Sequence, residues 1–296
     1  MFLKHGVALI ESGDAGTWHP DRDDSEFEGV PVRRFATEVQ IGDVMLLRTG
    51  ISTIRAVGLV ASDYLYLPQF DDVNGRDLQH ARRVRWYALP SEYDFGNRVF
   101  GANAPSLSRI NKPELVDYAN RFLNSPPTYW QTATLPSLPS ELPSIEPPDE
   151  LSELVTQVQD LTRLYADRTA FGDYPTEQEL VVHYVVPFLR ALGWRVEQIA
   201  IGWRFIDVSV FRTLPRSAAS CHFIIEAKRL GASVESALEQ AKGYVRELGV
   251  PRDIVVTDGI RYRMYSAERD FAPIAYANLA RLKQPALELF ARMKRS

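Results

Sequence analysis

The stretch from Pro126 to Glu150, PPTYWQTATLPSLPSELPSIEPPDE, holds seven of the 19 prolines and no Lys or Arg. Proline donates no amide hydrogen and its ring fixes φ, so a helix or a central strand is not expected here. The stretch reads as a semi-extended linker, with Tyr129 and Trp130 packing its start onto a neighbour. It divides the 296 residues into a domain at 1–125, a linker at 126–150 and a domain at 151–296. Two domains also suit a chain of this length, at roughly 100–200 residues each.

With 45% apolar and 24% charged residues the chain belongs among soluble globular proteins rather than disordered ones. No run approaches the ~20 apolar residues of a membrane span, and MFLKHGVALIESGD lacks the features of a secretory signal. A lone Cys221 excludes a disulfide framework or a cysteine-based zinc site and suits a reducing cytoplasm. There is no GxxxxGK[ST] loop, so no nucleotide cofactor is expected, and no GxSxG elbow. The five histidines show no metal-ligand spacing. Residues 1–125 carry 14 basic and 17 acidic side chains, 126–150 none and 4, and 151–296 carry 20 and 17, giving net charges of −3, −4 and +3. Only the last part suits a polyanionic partner, and only weakly.

Before the linker, VALIES (7–12), DVMLLRTG (43–50), TIRAVGLVASDYLYL (53–67) and RRVRWYAL (82–89) are short β-type runs broken by turn signals, Asn74-Gly75 among them. One helix is expected at 112–123. Short strands with few helices predict a small, mainly β barrel. After the linker, Leu151, Leu154, Val155, Val158, Leu161 and Tyr165 form one face of a helix that packs on its own domain or on a second subunit. A second helix is expected over Thr176–Leu192, with Thr176 and Glu179 as a capping box and Gly193 as its stop. Strands at 204–211, 222–228 and 253–259, with a helix at 233–247, predict an α/β domain: a mixed sheet flanked by helices.

Asp207 interrupts the apolar run Phe205-Ile206-Asp207-Val208, and nineteen residues later comes Glu226-Ala227-Lys228. Alternation along a strand puts Glu226 and Lys228 on one face. If the two strands are neighbours, Asp207 joins Glu226, and two carboxylates that close repel unless a cation neutralises them. Oxygen ligands beside one ammonium suit Mg²⁺ rather than zinc, and the lysine can position or deprotonate a bound water. The same triplet equally describes an ordinary Glu226–Lys228 salt bridge at a strand end.

TEQELVVHYVVPFLRALGW, FIDVSVF, IIEAKR, QAKGY and IVVTDGIRYRMY, in that order, resemble the PD-(D/E)XK nuclease superfamily, above all the N-terminal nuclease domain of type I restriction R subunits. The resemblance covers roughly 150–290 and implies a restriction-endonuclease-like fold. It implies Asp207, Glu226, the Ala227 backbone carbonyl and Glu177 as metal ligands, with Glu179 as a substitute for Glu177. It further implies Lys228 and Gln240 in catalysis, Tyr244 and Arg229 at the nucleic acid, and Mg²⁺ as cofactor with Mn²⁺ able to substitute. Ile206 stands where the superfamily name has proline. GDVMLLRTGISTIRAVGLVASDYLYLPQF and GRDLQHARRVRWY are similar to EVE/PUA-like barrels fused to restriction nucleases, with Arg76 where tryptophan is expected. That likeness implies binding of a flipped, modified base. Trp18, Tyr64, Tyr66 and Trp86 are then candidates for stacking the base, and Arg82 and Arg83 for the phosphate backbone; any of these rings equally suits a core.

The expected activity is a Mg²⁺-dependent endonuclease on double-stranded, modified DNA, cutting both strands as a homodimer or by two sequential nicks. The competing expectations are a non-catalytic nucleic-acid reader and a nuclease acting on RNA.

Overall fold

The structure is a computed structural model that describes residues 1–10, 17–18, 20, 32–71, 73, 78–101, 107–165, 175–230, 235–249 and 252–295. The Asn74-Gly75 turn, Arg76, His19 and the first two residues of the helix expected from 233 lie outside them. The chain divides into two compact units, Met1–Glu141 and Leu142–Ser296.

The first unit contains α1 (Phe2–His5), β1 (Val7–Ile10), α2 (Val32–Thr37), β2 (Val44–Arg48), β3 (Thr53–Val60), β4 (Leu65–Tyr66), β5 (His80–Asp94), α3 (Pro113–Asn124) and α4 (Thr128–Thr132). Its sheet runs β1-β5-β3-β2 with β4 also on β5. The long strand β5 pairs with β1 and β4 over His80–Arg83 and with β3 from Val84 onward, so the sheet curls into a half-barrel. Among the described residues no pairing joins β1 to β2. Pairing jumps from Ala56↔Ala88 to Ile54↔Tyr93. Pro90 falls in this bulge, where its missing donor costs no ladder bond, and Arg55 Nη1 donates to Leu89 O at 2.6 Å.

The proline-rich stretch corrects one expectation. Pro127 occupies the position before α4, where no amide donor is needed, so one helical turn does form. Its Trp130 is 2% exposed and donates Nε1 to Arg85 O at 3.0 Å. Leu138 packs beside Phe70, while Ile145 joins the core of the second unit.

That second unit contains α5 (Ser152–Tyr165), α6 (Glu177–Leu180), a π-turn (Val181–Val185), α7 (Val186–Ala191), β6 (Ile199–Trp203), β7 (Ile206–Phe211), β8 (Cys221–Ala227), α8 (Glu235–Leu248), β9 (Asp253–Thr257), β10 (Arg261–Ser266), β11 (Ala272–Asn278) and α9 (Ala286–Met293). Its sheet order is β11-β10-β9-β8-β7-β6. β8 and β9 are parallel, joined through α8, and the other neighbours are antiparallel. Val208, Val210, Phe223, Ile225 and Val255 bury one face against α5, α6, α7 and α9, so the apolar stripe of α5 is used within its own unit. Ile224, Ile254 and Val256 bury the other against Ala237, Ala241 and Val245 of α8.

The helix expected over Thr176–Leu192 is interrupted. Pro187 lacks the amide that would bond four residues back, and the chain widens before it, with Val186 N bonding Val181 O. Between β9 and β10, Asp258 (0% exposed) accepts from the amides of Ile260 and Arg261 through Oδ1. Its Oδ2 accepts from Arg261 Nε at 3.1 Å and Nη2 at 2.9 Å.

Candidate active site

Glu226 lies on the α8 face of the sheet, because its strand neighbours Ile225 and Ala227 point to the opposite core, and Asp207 on the next strand is near enough for its charge to act on it. The β7–β8 pairing ends at Val208↔Ile225. Asp207 Oδ2 takes the next free amide, accepting from Ala227 N at 2.8 Å. Glu226 is 1% exposed; its Oε1 accepts from Lys228 Nζ at 3.0 Å, and its Oε2 meets no hydrogen-bond donor among the described residues. Lys228 also donates to Gln240 Oε1 at 3.2 Å, and Gln240 Nε2 donates to Tyr244 OH at 2.9 Å. Gln240 and Tyr244 are one turn apart on α8, so the helix holds the lysine from one side and the strand from the other. Arg229 is exposed.

The capping box separates the two nearby acids. Glu179 Oε2 accepts from Thr176 N and Oγ1, and Thr176 Oγ1 accepts from Glu179 N. Glu177 is left half-buried, and its charge reaches Asp207, Glu226 and Lys228. It does not complete a ligand set: among the described residues no group of three or more His, Cys, Asp and Glu is placed to hold a metal ion.

Burial raises the pKa of Asp207, opposed by the Ala227 amide and the Lys228 charge. Glu226 is pushed up to about 7, first by burial and then by the charge of Asp207, against its bond to Lys228. Burial works against the charge of Lys228, but its hydrogen bond to Glu226 and the surrounding acids raise it overall. The folded chain therefore holds the Glu226 proton more tightly than the unfolded chain does. Stability falls as pH rises from the ordinary glutamate range to about 7, and that loss is complete above it. Without divalent cation, Glu226→Gln is expected to melt several degrees above the parent at pH 8, with the gap shrinking towards pH 5. A gap that stays constant across a pH series of melting curves would exclude the buried charge as its cause.

With this geometry in view, the similarities to known proteins are limited. A family described only as a domain of unknown function, DUF8426, matches residues 12–103. No curated protein matches the chain. A solved fragment assigned to the HsdR subunit of a type I restriction enzyme from Vibrio vulnificus YJ016 is 20% identical over 40% of this chain, with a TM-score of 0.28. The chain covers 25% of that structure. No helix among the described residues is long and apolar enough to cross a membrane.

In the first unit the residues expected to contact nucleic acid are largely engaged with the protein. Arg82 is 2% exposed, and its three nitrogens donate to Phe35 O, Ala36 O and Ser62 O, so it caps the last carbonyls of α2 rather than facing a phosphate. Arg83 donates to Gly6 O and Pro136 O, tying β5 to the proline-rich stretch. Tyr64 OH lies 2.6 Å from Nδ1 of the buried His80 and accepts from Trp18 N at 3.1 Å, while Tyr66 packs edge-on against His80. Trp86 lies over Gly58, where a Cβ would come within 2.6 Å of the indole, and donates Nε1 to Val7 O. A cavity of about 160 Å³ opens beside it, lined by Arg85, Trp130, Leu135 and Pro136 among others. Both indole N–H groups there are spent on backbone carbonyls, leaving ring faces rather than donors.

The chain just before Asp207 departs from the expected strand. Arg204 and Phe205 were expected inside a strand, but they form the turn between β6 and β7, with φ of 53° and 65°. Each side chain in that region costs about 1–2 kcal/mol. Only a dipeptide such as Asn-Gly would have signalled this turn, and it is absent.

Proposed function

We propose that the second unit hydrolyses phosphodiester bonds in double-stranded DNA and that the first unit directs it to modified bases such as methylated or hydroxymethylated cytosine. The observation behind this reading is the pair Asp207 and Glu226 with Lys228 fixed beside it by Gln240 and Tyr244. A structural ion pair needs Glu226 and Lys228 alone. It does not need a second acid charge raising the first, or a buried carboxylate oxygen without a donor.

That unmatched oxygen and the neighbouring acid suit a hard divalent cation. Asp207, Glu226 and the Ala227 carbonyl would hold Mg²⁺ or Mn²⁺, with Glu177 as an outer acid. The cation would supply charge neutralisation and a more acidic water. Lys228 places its ammonium next to the phosphate, and Gln240 and Tyr244 keep it there. Hydrolysis joins a water oxygen to phosphorus, breaks one P–O ester bond and protonates the leaving oxygen. One such site cuts one strand, so a double-strand break needs a homodimer or two nicks.

The test incubates the full chain and Mg²⁺ with plasmids carrying cytosine, methylcytosine or hydroxymethylcytosine. Cleavage of a modified plasmid that chelator abolishes is the expected result. Equal cutting of all three removes the modification preference and leaves the nuclease, whereas intact plasmids with both Mg²⁺ and Mn²⁺ overturn hydrolysis. The competing reading is a non-catalytic reader of DNA or RNA, which suits two acids that, among the described residues, no third His, Cys, Asp or Glu joins in a metal-holding group. That reading predicts binding of either polymer without cleavage and without calorimetric uptake of Mn²⁺.

A further inference from the structure

The β6–β7 hairpin ends in a turn its sequence does not favour. Trp203 pairs with Ile206, leaving Arg204 and Phe205 as a two-residue turn with both φ values positive. Such turns ordinarily carry Asn-Gly or Asp-Gly, because a Cβ crowds the next carbonyl there. Phe205 is nevertheless 89% exposed, and Ile201 on the same hairpin is 58% exposed. The Arg204 guanidinium lies 4.8 Å from the centre of the Trp203 ring. Arg204 gains a contact with that ring, but Phe205 does not help the fold: its ring is in water and its backbone is strained. The tip also stands two residues before Asp207, about 7 Å along the strand.

We propose that this tip is a wedge for the DNA substrate, in which Phe205 inserts at the base step beside the scissile phosphate and Arg204 holds a neighbouring phosphate. The inference rests on the hydrolase reading and deepens it. Flat apolar rings enter base steps and stack on bases of any sequence, and arginine on the backbone sets register without reading sequence. A two-residue turn carries the ring outward with little freedom to lose on binding. An Asn-Gly turn would close the same hairpin without presenting any ring.

The full chain is compared with Phe205→Gly, Phe205→Trp and the double variant Arg204→Asn/Phe205→Gly. Readouts are thermal melting, duplex binding by anisotropy, and fluorescence of 2-aminopurine placed at successive positions around the parent's cut site. The glycine variants are expected to melt above the parent, bind about tenfold more weakly, and lose the 2-aminopurine brightening. Phe205→Trp keeps both signals. Glycine variants that bind and brighten like the parent overturn the wedge while the hydrolase stands. A glycine variant that changes only the sedimentation of the free protein assigns the ring to a second copy and also overturns it. A parent that binds no duplex overturns both readings.

Discussion

Asp207→Ala and Lys228→Ala are each expected to slow plasmid cleavage by about 10²–10⁴-fold, the range for removing a positioned acid–base group or charge stabiliser. Asp207 does two things: it places a second negative charge against Glu226, and it satisfies the Ala227 amide. Alanine loses both, whereas Asp207→Asn keeps an acceptor and loses only the charge, so the asparagine variant separates chemistry from strand geometry. The two sites also act oppositely on Glu226. Removing Asp207 takes away a charge that raises its pKa, so Glu226 ionises more readily. Removing Lys228 takes away a hydrogen bond that lowers it, so Glu226 stays protonated to higher pH. Rate–pH profiles of the residual activity are expected to shift in opposite directions. Full cleavage by either alanine variant would mean that the reaction happens elsewhere.

Asp258→Ala is expected to destabilise the second unit strongly. Its carboxylate serves two amides and a fork of arginine nitrogens, all buried. Removing one partner of such a pair strands the other, at about 3–5 kcal/mol, which for a domain of this size lowers the melting temperature by on the order of 10 °C. Asp258→Asn keeps an acceptor for the amides and is expected to lose less. Melting of the alanine variant within a degree or two of the parent would show that Arg261 finds compensation without Asp258.

Where side chains alternate or repeat simply, the sequence was a good guide. The stripe Leu151 to Leu161 packs into one core, and Thr176 with Glu179 forms the expected cap. Asp207 was conspicuous because the strand around it is apolar, and two neighbouring strands then had to bring it to Glu226. Elsewhere polar side chains misled. Arg82 reads as part of a charged strand face, yet lies inside because α2 presents carbonyls that need donors. The strand β10 escaped as an element because Arg261 and Arg263 alternate with tyrosine and methionine as if facing water, while all six residues are buried. The π-turn before Pro187 was open to reading from the proline itself, whereas the turn at Arg204-Phe205 depends on local backbone geometry that residue patterning does not report.

In the first unit, β1, β3 and β4 all dock on β5, and β2 reaches it only through β3. Among the described residues, no subset of strands excluding β5 keeps more than one ladder. Opening β5 therefore releases three of these ladders together, so a fluctuation in that one strand unfastens most of the pairing at once.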